Sequence, residues 1–276
     1  MRPSGIITIT TDFGLADSYV GTMKGVMLGI APGARLVDIT HTVGPQEIHQ
    51  AAYIVQTFYP YFPPGTVHLV VVDPGVGSDR RQIALVTPEA MFVAPDNGVL
   101  TYAWRDALAR WGREQVAVYE LAERRFWLPR ISNTFHGRDI FSPVAAHLAN
   151  GVPPSAMGPW LPGITEAALE QPAPGRSGEL VGRIIHVDHF GNCITNIMPE
   201  HLVHAGMEGR ITVQIIDQRI PGLYRTYAEG ASGSLIALVG SSNRLELAVC
   251  NGNAARTLGV GIGDTVKIFP REEPLV

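Results

Sequence analysis

The chain has 276 residues, 46% hydrophobic and 17% charged, with a formal net charge of −4 at pH 7. That make-up is of a folded globular protein with a sizeable core, long enough for two domains. The weak negative balance gives no broad basic field, so nucleic-acid binding has no electrostatic support and a small ligand is expected instead. No apolar run approaches the roughly 20 residues that cross a bilayer. The start, Met1-Arg2-Pro3-Ser4-Gly5, has no signal-peptide pattern. Cys193 and Cys250 are the only cysteines, without CxxC spacing, which points to neither a disulfide framework nor a structural zinc site. A soluble cytoplasmic protein is expected.

In chain order, Ile6 to Thr10 is a short β-branched run, and Asp17-Ser18 can cap a helix carrying Val20, Met23, Met27 and Ile30 on one face. Pro32-Gly33 stops that helix. A strand over Arg35 to Ile39, a helix with Ile48, Ala51, Ala52 and Val55, and a hydrophobic strand from His68 to Val72 complete a βαβαβ pattern. Further strands are expected at Gln82 to Val86 and Met91 to Val93. A helix after Arg138 places Phe141, Val144, Ala145 and Leu148 together. Apolar strands separated by amphipathic helices predict an α/β domain, residues 1–170, with a central, largely parallel sheet. Gly151 to Gly178 is rich in Pro and Gly and reads as a connector. Beyond it, short β-rich runs at Leu180 to Val187, Cys193 to Ile197, Arg210 to Ile216, Ser234 to Val239, Leu245 to Val249 and Thr265 to Phe269 predict a smaller all-β domain, residues 178–276, a barrel or sandwich.

Five polar clusters interrupt the apolar sequence. Val72-Asp73-Pro74-Gly75-Val76-Gly77 delivers a carboxylate from a strand into a tight turn, with Arg80 and Arg81 following. The others are Thr11-Asp12-Phe13-Gly14, Ala94-Pro95-Asp96-Asn97-Gly98, Phe135-His136-Gly137-Arg138-Asp139 and Asp188-His189-Phe190-Gly191-Asn192. Strand ends feeding loops are where open α/β sheets gather ligand-binding residues. No GxGxxG or GxxxxGK[ST] is present, which demotes nicotinamide cofactors and nucleotide triphosphates. Asp12 and Asp17 sit where a carboxylate accepts ribose hydroxyls, although Asp17 equally suits a helix cap and Asp12 an Asx turn. His136 fits a locally packed histidine as well as a functional one. Asp12, Asp73, Asp96, His136 and Asp139 form a hard-ligand set, but without HxH, HExxH or DxDxD spacing a metal is the lesser reading.

Together these five ordered motifs, spread over nearly the whole chain, resemble the S-adenosylmethionine hydroxide adenosyltransferase family, whose relatives include the fluorinase and chlorinase enzymes. The resemblance implies an N-terminal α/β domain, a C-terminal β-barrel domain, and a homotrimer with active sites between one subunit's N-terminal domain and a neighbour's C-terminal domain. It implies attack of water-derived hydroxide on C5′ of S-adenosylmethionine, giving adenosine and L-methionine, with no cofactor because S-adenosylmethionine is the substrate. The implied catalytic trio is Asp73, Arg80 and His136, with Arg81 a competing choice for the cation. By the same resemblance Asp12 holds the ribose hydroxyls and Asp17 contacts substrate on that side. Asp188 and Asn192 bind the amino-acid part or ribose, Phe190 packs on adenine, Ser241 and Ser242 meet the methionine carboxylate, and backbone around Val249 to Gly252 reads adenine.

Three alternatives stand beside this one. Halogenases of the family replace the Asp of the Asp-Pro turn with an aromatic residue and carry hydroxyls where Val76 and Gly137 stand here, so Asp73 disfavours a halide site. A non-catalytic adenosine or S-adenosylmethionine sensor needs none of Asp73, Arg80 and His136. A metal-dependent hydrolase would use the carboxylates listed above and would lose activity to a chelator.

Overall fold

The computed structural model describes residues 1–207 and 211–270, in two compact units, Met1–Ala168 and Leu169–Val276. In the first unit the order is β1 (Ile6–Thr11), α1 (Tyr19–Ile30), β2 (Arg35–Thr40), α2 (Ile48–Phe58), β3 (Thr66–Val71), β4 (Gln82–Val86), β5 (Ala90–Pro95), α3 (Thr101–Trp111), β6 (Ala117–Glu120), α4 (Ser142–Ala149) and β7 (Trp160–Leu161). The sheet order is β2-β1-β3-β5-β4-β6-β7.

The strand β3 shows why this is a three-layer structure. It is buried along its whole length, and its side chains alternate between faces as the two-residue period of a strand requires. Val67, Leu69 and Val71 join Met23 and Met27 of α1 and Val144, Ala145 and Leu148 of α4. Val70 and Val72 join Ala51 and Val55 of α2 and Ala103 and Ala107 of α3. His68 lies on that second face, fully buried, and burial pushes its imidazole pKa down to about 3. Its Nδ1 pairs with the Thr8 hydroxyl at 2.8 Å; it is a core residue.

The sheet is mixed, which corrects the expectation of a largely parallel one. β2, β1, β3 and β5 run parallel, whereas β4 pairs antiparallel with β5 and β6, and β6 with β7. The reason lies between Val86 and Ala90: three residues can close a hairpin but cannot make the crossover that parallel neighbours need. α3 and β6 are additional to the expected elements. The Pro/Gly-rich stretch is also less free than a connector, since β7 pairs with β6 and the Thr165 and Ala167 amides bond to Asp96 and Thr101.

The second unit contains β8 (Ala173–Pro174), β9 (Leu180–Val187), β10 (Cys193–Thr195), α5 (Pro199–His204), β11 (Ile211–Ile215), β12 (Gln218–Pro221), β13 (Leu235–Val239), β14 (Leu245–Val249), α6 (Ala254–Leu258) and β15 (Thr265–Pro270). Its antiparallel sheet runs β12-β11-β15-β9-β10-β14-β13, with β8 on β9. Tyr224, just after β12, bridges to Leu238 of β13, so the sheet curls until its two edges nearly meet. Inside lies a core that includes Ile184, Val213, Leu247, Val266 and Ile268. Arg210, expected to begin β11, lies outside the described residues. Cys193 and Cys250 are buried and unpaired with each other.

Candidate active site

The parallel strands β1, β3 and β5 end side by side, Thr11 opposite Val71 and Leu69 opposite Val93. Asp12, Asp73 and Asp96 follow those three ends in sequence. The chain leaves β1 to one side for β2 and returns on the other for β3, so Asp12 and Asp73 flank the reversal point where ligands bind in open α/β sheets.

Asp73 opens a turn held by bonds from the Val76 amide to the Asp73 carbonyl at 3.2 Å and from the Ser78 amide to the Gly75 carbonyl at 3.0 Å. Gly77 is required there. Its φ is +80°, and a Cβ would lie 2.5 Å from the Asn133 carbonyl oxygen, on the segment leading to His136. Asn97 ties in the loop after β5 by donating from Nδ2 to the Val72 carbonyl at 2.9 Å.

The turn doubles back so that Arg80 grips Asp73 with both prongs of the guanidinium, Nε donating to Oδ1 at 2.6 Å and Nη2 to Oδ2. Nη2 also donates to Nδ1 of His136 at 3.1 Å. Both members of the ion pair are almost entirely buried, 8% and 5% exposed at the side chain, and the guanidinium lies 5.4 Å from the centroid of Phe141. Because arginine can only donate, Nδ1 of His136 must carry the lone pair and Nε2 the proton. Burial lowers the His136 pKa, and the Arg80 charge lowers it further against opposing pulls from Asp73 and Asp139. The ring is therefore neutral at pH 7.

Three of the five residues in the hard-ligand set are carboxylates occupied by their own arginine. Asp73 holds Arg80, Asp96 holds Arg81 through Nε at 2.9 Å and Nη2 at 2.6 Å, and Asp139 holds Arg138 at 2.6 and 3.0 Å. Among the described residues no group of three His, Cys, Asp or Glu is placed to hold a metal. Arg81 is thus separated from the Asp73–His136 chain.

Asp12 accepts the Gln46 amide at 2.8 Å, with Gln46 at φ +67°. Phe13 and Phe135 meet edge to face, centroids 6.0 Å apart, and both meet Tyr19, linking the loop after β1 to the residue preceding His136. Asp17 is exposed. It is not the cap of α1, whose Ncap is Ser18, without a side-chain bond. Gly137 starts a π-helical turn, Gly137–Phe141, and an added Cβ would meet Met23, Phe13 and Phe135 at 3.4 Å. Gly137 thus faces an apolar wall.

The second unit has a cleft of about 870 Å³. Asp188, Phe190 and Asn192 line one part of it, Ser241 another, and Val249 to Asn253 the floor. Ser242 is not in this lining. Asp188 organises its own loop: Oδ1 accepts the amides of Phe190 and Asn192 at 2.9 and 2.8 Å, and Oδ2 accepts Asn192 Nδ2 at 2.9 Å. That leaves Phe190 71% exposed, presenting an open ring. Tyr227 and Glu246 also line the cleft, joined by a bond from the phenol to the carboxylate Oε1. Neither carries a motif, and only the curling of the sheet brings them in.

Two family models match the chain, the SAM hydroxide adenosyltransferase N-terminal domain over residues 7–158 and the corresponding C-terminal domain over residues 182–267. A Salinispora tropica protein named (R)-S-adenosyl-L-methionine hydrolase is 38% identical, covering 97% of this chain and 99% of its own length. A Thermus thermophilus protein of the same name is 39% identical, covering 98% and 100%. Proteins named fluorinase match at 26–29% identity. The crystal structure of an uncharacterized conserved protein from Thermotoga maritima aligns with a TM-score of 0.85 at 35% identity, over 95% of this chain and 99% of that one. The chain belongs to the SAM hydroxide adenosyltransferase family.

Proposed function

We propose that this protein is an S-adenosyl-L-methionine hydrolase, adenosine-forming, acting on the (R) sulfonium epimer specified in its relatives' names. The observation that carries the reading is the buried chain Asp73–Arg80–His136 at the sheet's reversal point.

The reaction joins a water oxygen to C5′ as the C5′–S bond breaks. Methionine departs as a neutral thioether, so the leaving group needs no acid and one proton from water remains to be removed. The weakness of the nucleophile is the difficulty. Arg80, neutralised by Asp73, acts through directed hydrogen bonds: its Nη1 makes only a long contact, 3.4 Å, with the Arg81 carbonyl and keeps donor capacity for the attacking oxygen. His136 offers Nε2–H to the same oxygen, and its Nδ1 is taken by Arg80, which leaves Asp73 to receive the proton. Asp12 and Asp17 serve the ribose. Phe190, Asn192, Ser241, Ser242 and the backbone from Val249 to Gly252 serve adenine and the amino-acid portion, with Asp188 shaping their loop.

The homotrimer and the cytoplasmic location implied by the family belong to this proposal. Among the described residues no helix is long and apolar enough to cross a membrane. The test is chromatography of purified protein incubated with S-adenosylmethionine, with and without chelator. Adenosine and L-methionine in equal amounts in both arms are expected. Loss of product with chelator would favour metal-assisted hydrolysis, and tight binding without product a sensor.

A further inference from the structure

The loop after β2 carries a histidine that the proposed reaction does not use. His41 is 4% exposed, and its polar groups reach back to the strand end that precedes Asp12. Nδ1 meets the Thr11 hydroxyl at 2.9 Å, and the His41 carbonyl accepts the Gly14 amide at 2.7 Å. Nε2 lies 3.0 Å from Oδ1 of Asp38, off the hydrogen-bonding line, and Oδ2 of Asp38 holds Lys24 of α1 at 2.5 Å. The tautomer that suits Asp38 carries its proton on Nε2. Nδ1 then accepts the Thr11 hydroxyl, whose oxygen accepts the Phe13 amide at 3.3 Å. Thr11, Phe13 and Gly14 bracket Asp12, so His41 holds the backbone on both sides of that residue.

Further along, the same loop reaches the carboxylate itself. The Gln46 amide donates to Asp12 Oδ2 at 2.8 Å, with Gln46 at φ +67°, a left-handed conformation that a non-glycine residue keeps only where its surroundings fix it. The Gly44 amide, donating to Gln50 Oε1 at 2.7 Å, ties the loop to α2. With Oδ2 engaged, Oδ1 is the oxygen of Asp12 left for a ligand. We infer that His41 is a positioning residue: by fastening the loop after β2 to the loop after β1, it fixes the Asp12 carboxylate so that Oδ1 meets the ribose hydroxyls. A histidine with packing duties alone looks different, as His68 does with Thr8 as its polar partner and the rings of Phe58, Tyr59, Phe62 and Phe92 around it. The inference deepens the hydrolase reading and rests on its assignment of Asp12 to the ribose.

The test measures binding of two nucleosides to the full-length protein by calorimetry: adenosine, and 2′,3′-dideoxyadenosine, which lacks both ribose hydroxyls. Wild type should prefer adenosine by at least about tenfold, as expected for hydrogen bonds to a charged acceptor. His41→Phe keeps a ring and removes both nitrogens; it should weaken adenosine at least about fivefold and the dideoxy nucleoside less than about twofold. His41→Asn, whose Oδ1 can accept the Thr11 hydroxyl, should recover most of that loss. Thr11→Val removes the hydroxyl at nearly constant shape, should reproduce the His41→Phe pattern, and stands in if His41→Phe does not fold. Equal losses for the two nucleosides, or adenosine affinity within about twofold of wild type in both His41→Phe and Thr11→Val, would overturn the assignment. Asp12→Ala protein that kept the full preference for adenosine would sink the ribose role of Asp12, and the inference with it. Wild-type protein that forms no adenosine from S-adenosylmethionine would instead sink the hydrolase reading.

Discussion

At Arg80 and Arg81 two neighbouring guanidinium groups meet different fates, and only the fold separates them. Arg80 is buried against Asp73, His136 and Phe141; Arg81, 39% exposed at its side chain, pairs with Asp96. Substituting Asp73, Arg80 or His136 by Ala should slow adenosine formation at least about tenfold with KM little changed, since positioned acid–base groups contribute ~10²–10⁴. Arg81→Ala should stay within about threefold of wild type, a change too small for a group acting on the reacting atoms. Steady-state kinetics on the four variants decides it, and a loss confined to Arg81→Ala would move the cation one residue along. The His136 ring gives the pH dependence. Its pKa is held below the ordinary 6.5 by burial and Arg80, so the working neutral form is complete above 6.5 and is lost only as pH falls through that depressed value. Protonating Nδ1 also expels the Arg80 bond. The kcat/KM–pH profile, which reports the free enzyme, should therefore show an acid limb below 6.5; a limb centred above it would contradict the neutral-ring assignment.

At the scale of elements, the site depends on the loop between β3 and β4 being a tight turn. Gly77→Ala puts a Cβ 2.5 Å from the Asn133 carbonyl at φ +80°, and strain of that kind costs on the order of 1–3 kcal/mol. Thermal unfolding should show a lowered Tm. The turn and the segment carrying His136 are displaced together, so the rate should fall as well; an unperturbed Tm would mean the turn relaxes freely. The sequence foretold this turn, because Asp-Pro-Gly after a buried strand has few other conformations. It foretold α1, α2 and β1 to β3 from their periodicity. It concealed the direction of the sheet, which is set by how short the 87–89 connection is rather than by any pattern within the strands. It concealed β12 too: the hairpin from Ile215 to Gln218 turns through Ile216 at φ +51° instead of the usual Asn-Gly or Asp-Gly, and ends on a proline tolerated only at an edge. Asp12, Asp73 and His136 were legible as motifs. Glu246 and Tyr227 were not, because they become neighbours through pairing of β14 and curling of the sheet, 19 residues apart with no shared pattern.

For the whole molecule, the proposed trimer makes a prediction of its own. Asp73 lies in the first unit and Asp188 in the second. If sites are completed between subunits, inactive Asp73→Ala and inactive Asp188→Ala proteins, co-assembled, should recover part of the wild-type activity, because some sites then carry neither defect. Light scattering that gives a monomer would end this idea. The central claim is that the nucleophile is water, activated by Asp73, Arg80 and His136, in a site whose Val76 and Gly137 supply no hydroxyl to a bare anion. A halide there would lose its water shell beside the Asp73 carboxylate with only the Arg80 and His136 donors in exchange, at a cost on the order of a few kcal/mol, and each ~1.4 kcal/mol is tenfold in rate. The most direct measurement is mass spectrometry of the nucleoside formed from S-adenosylmethionine in ¹⁸O-labelled water containing concentrated fluoride or chloride. The account predicts adenosine as the nucleoside product, with one ¹⁸O at the 5′ position; 5′-halo-5′-deoxyadenosine as a main product, or adenosine without label, would contradict it.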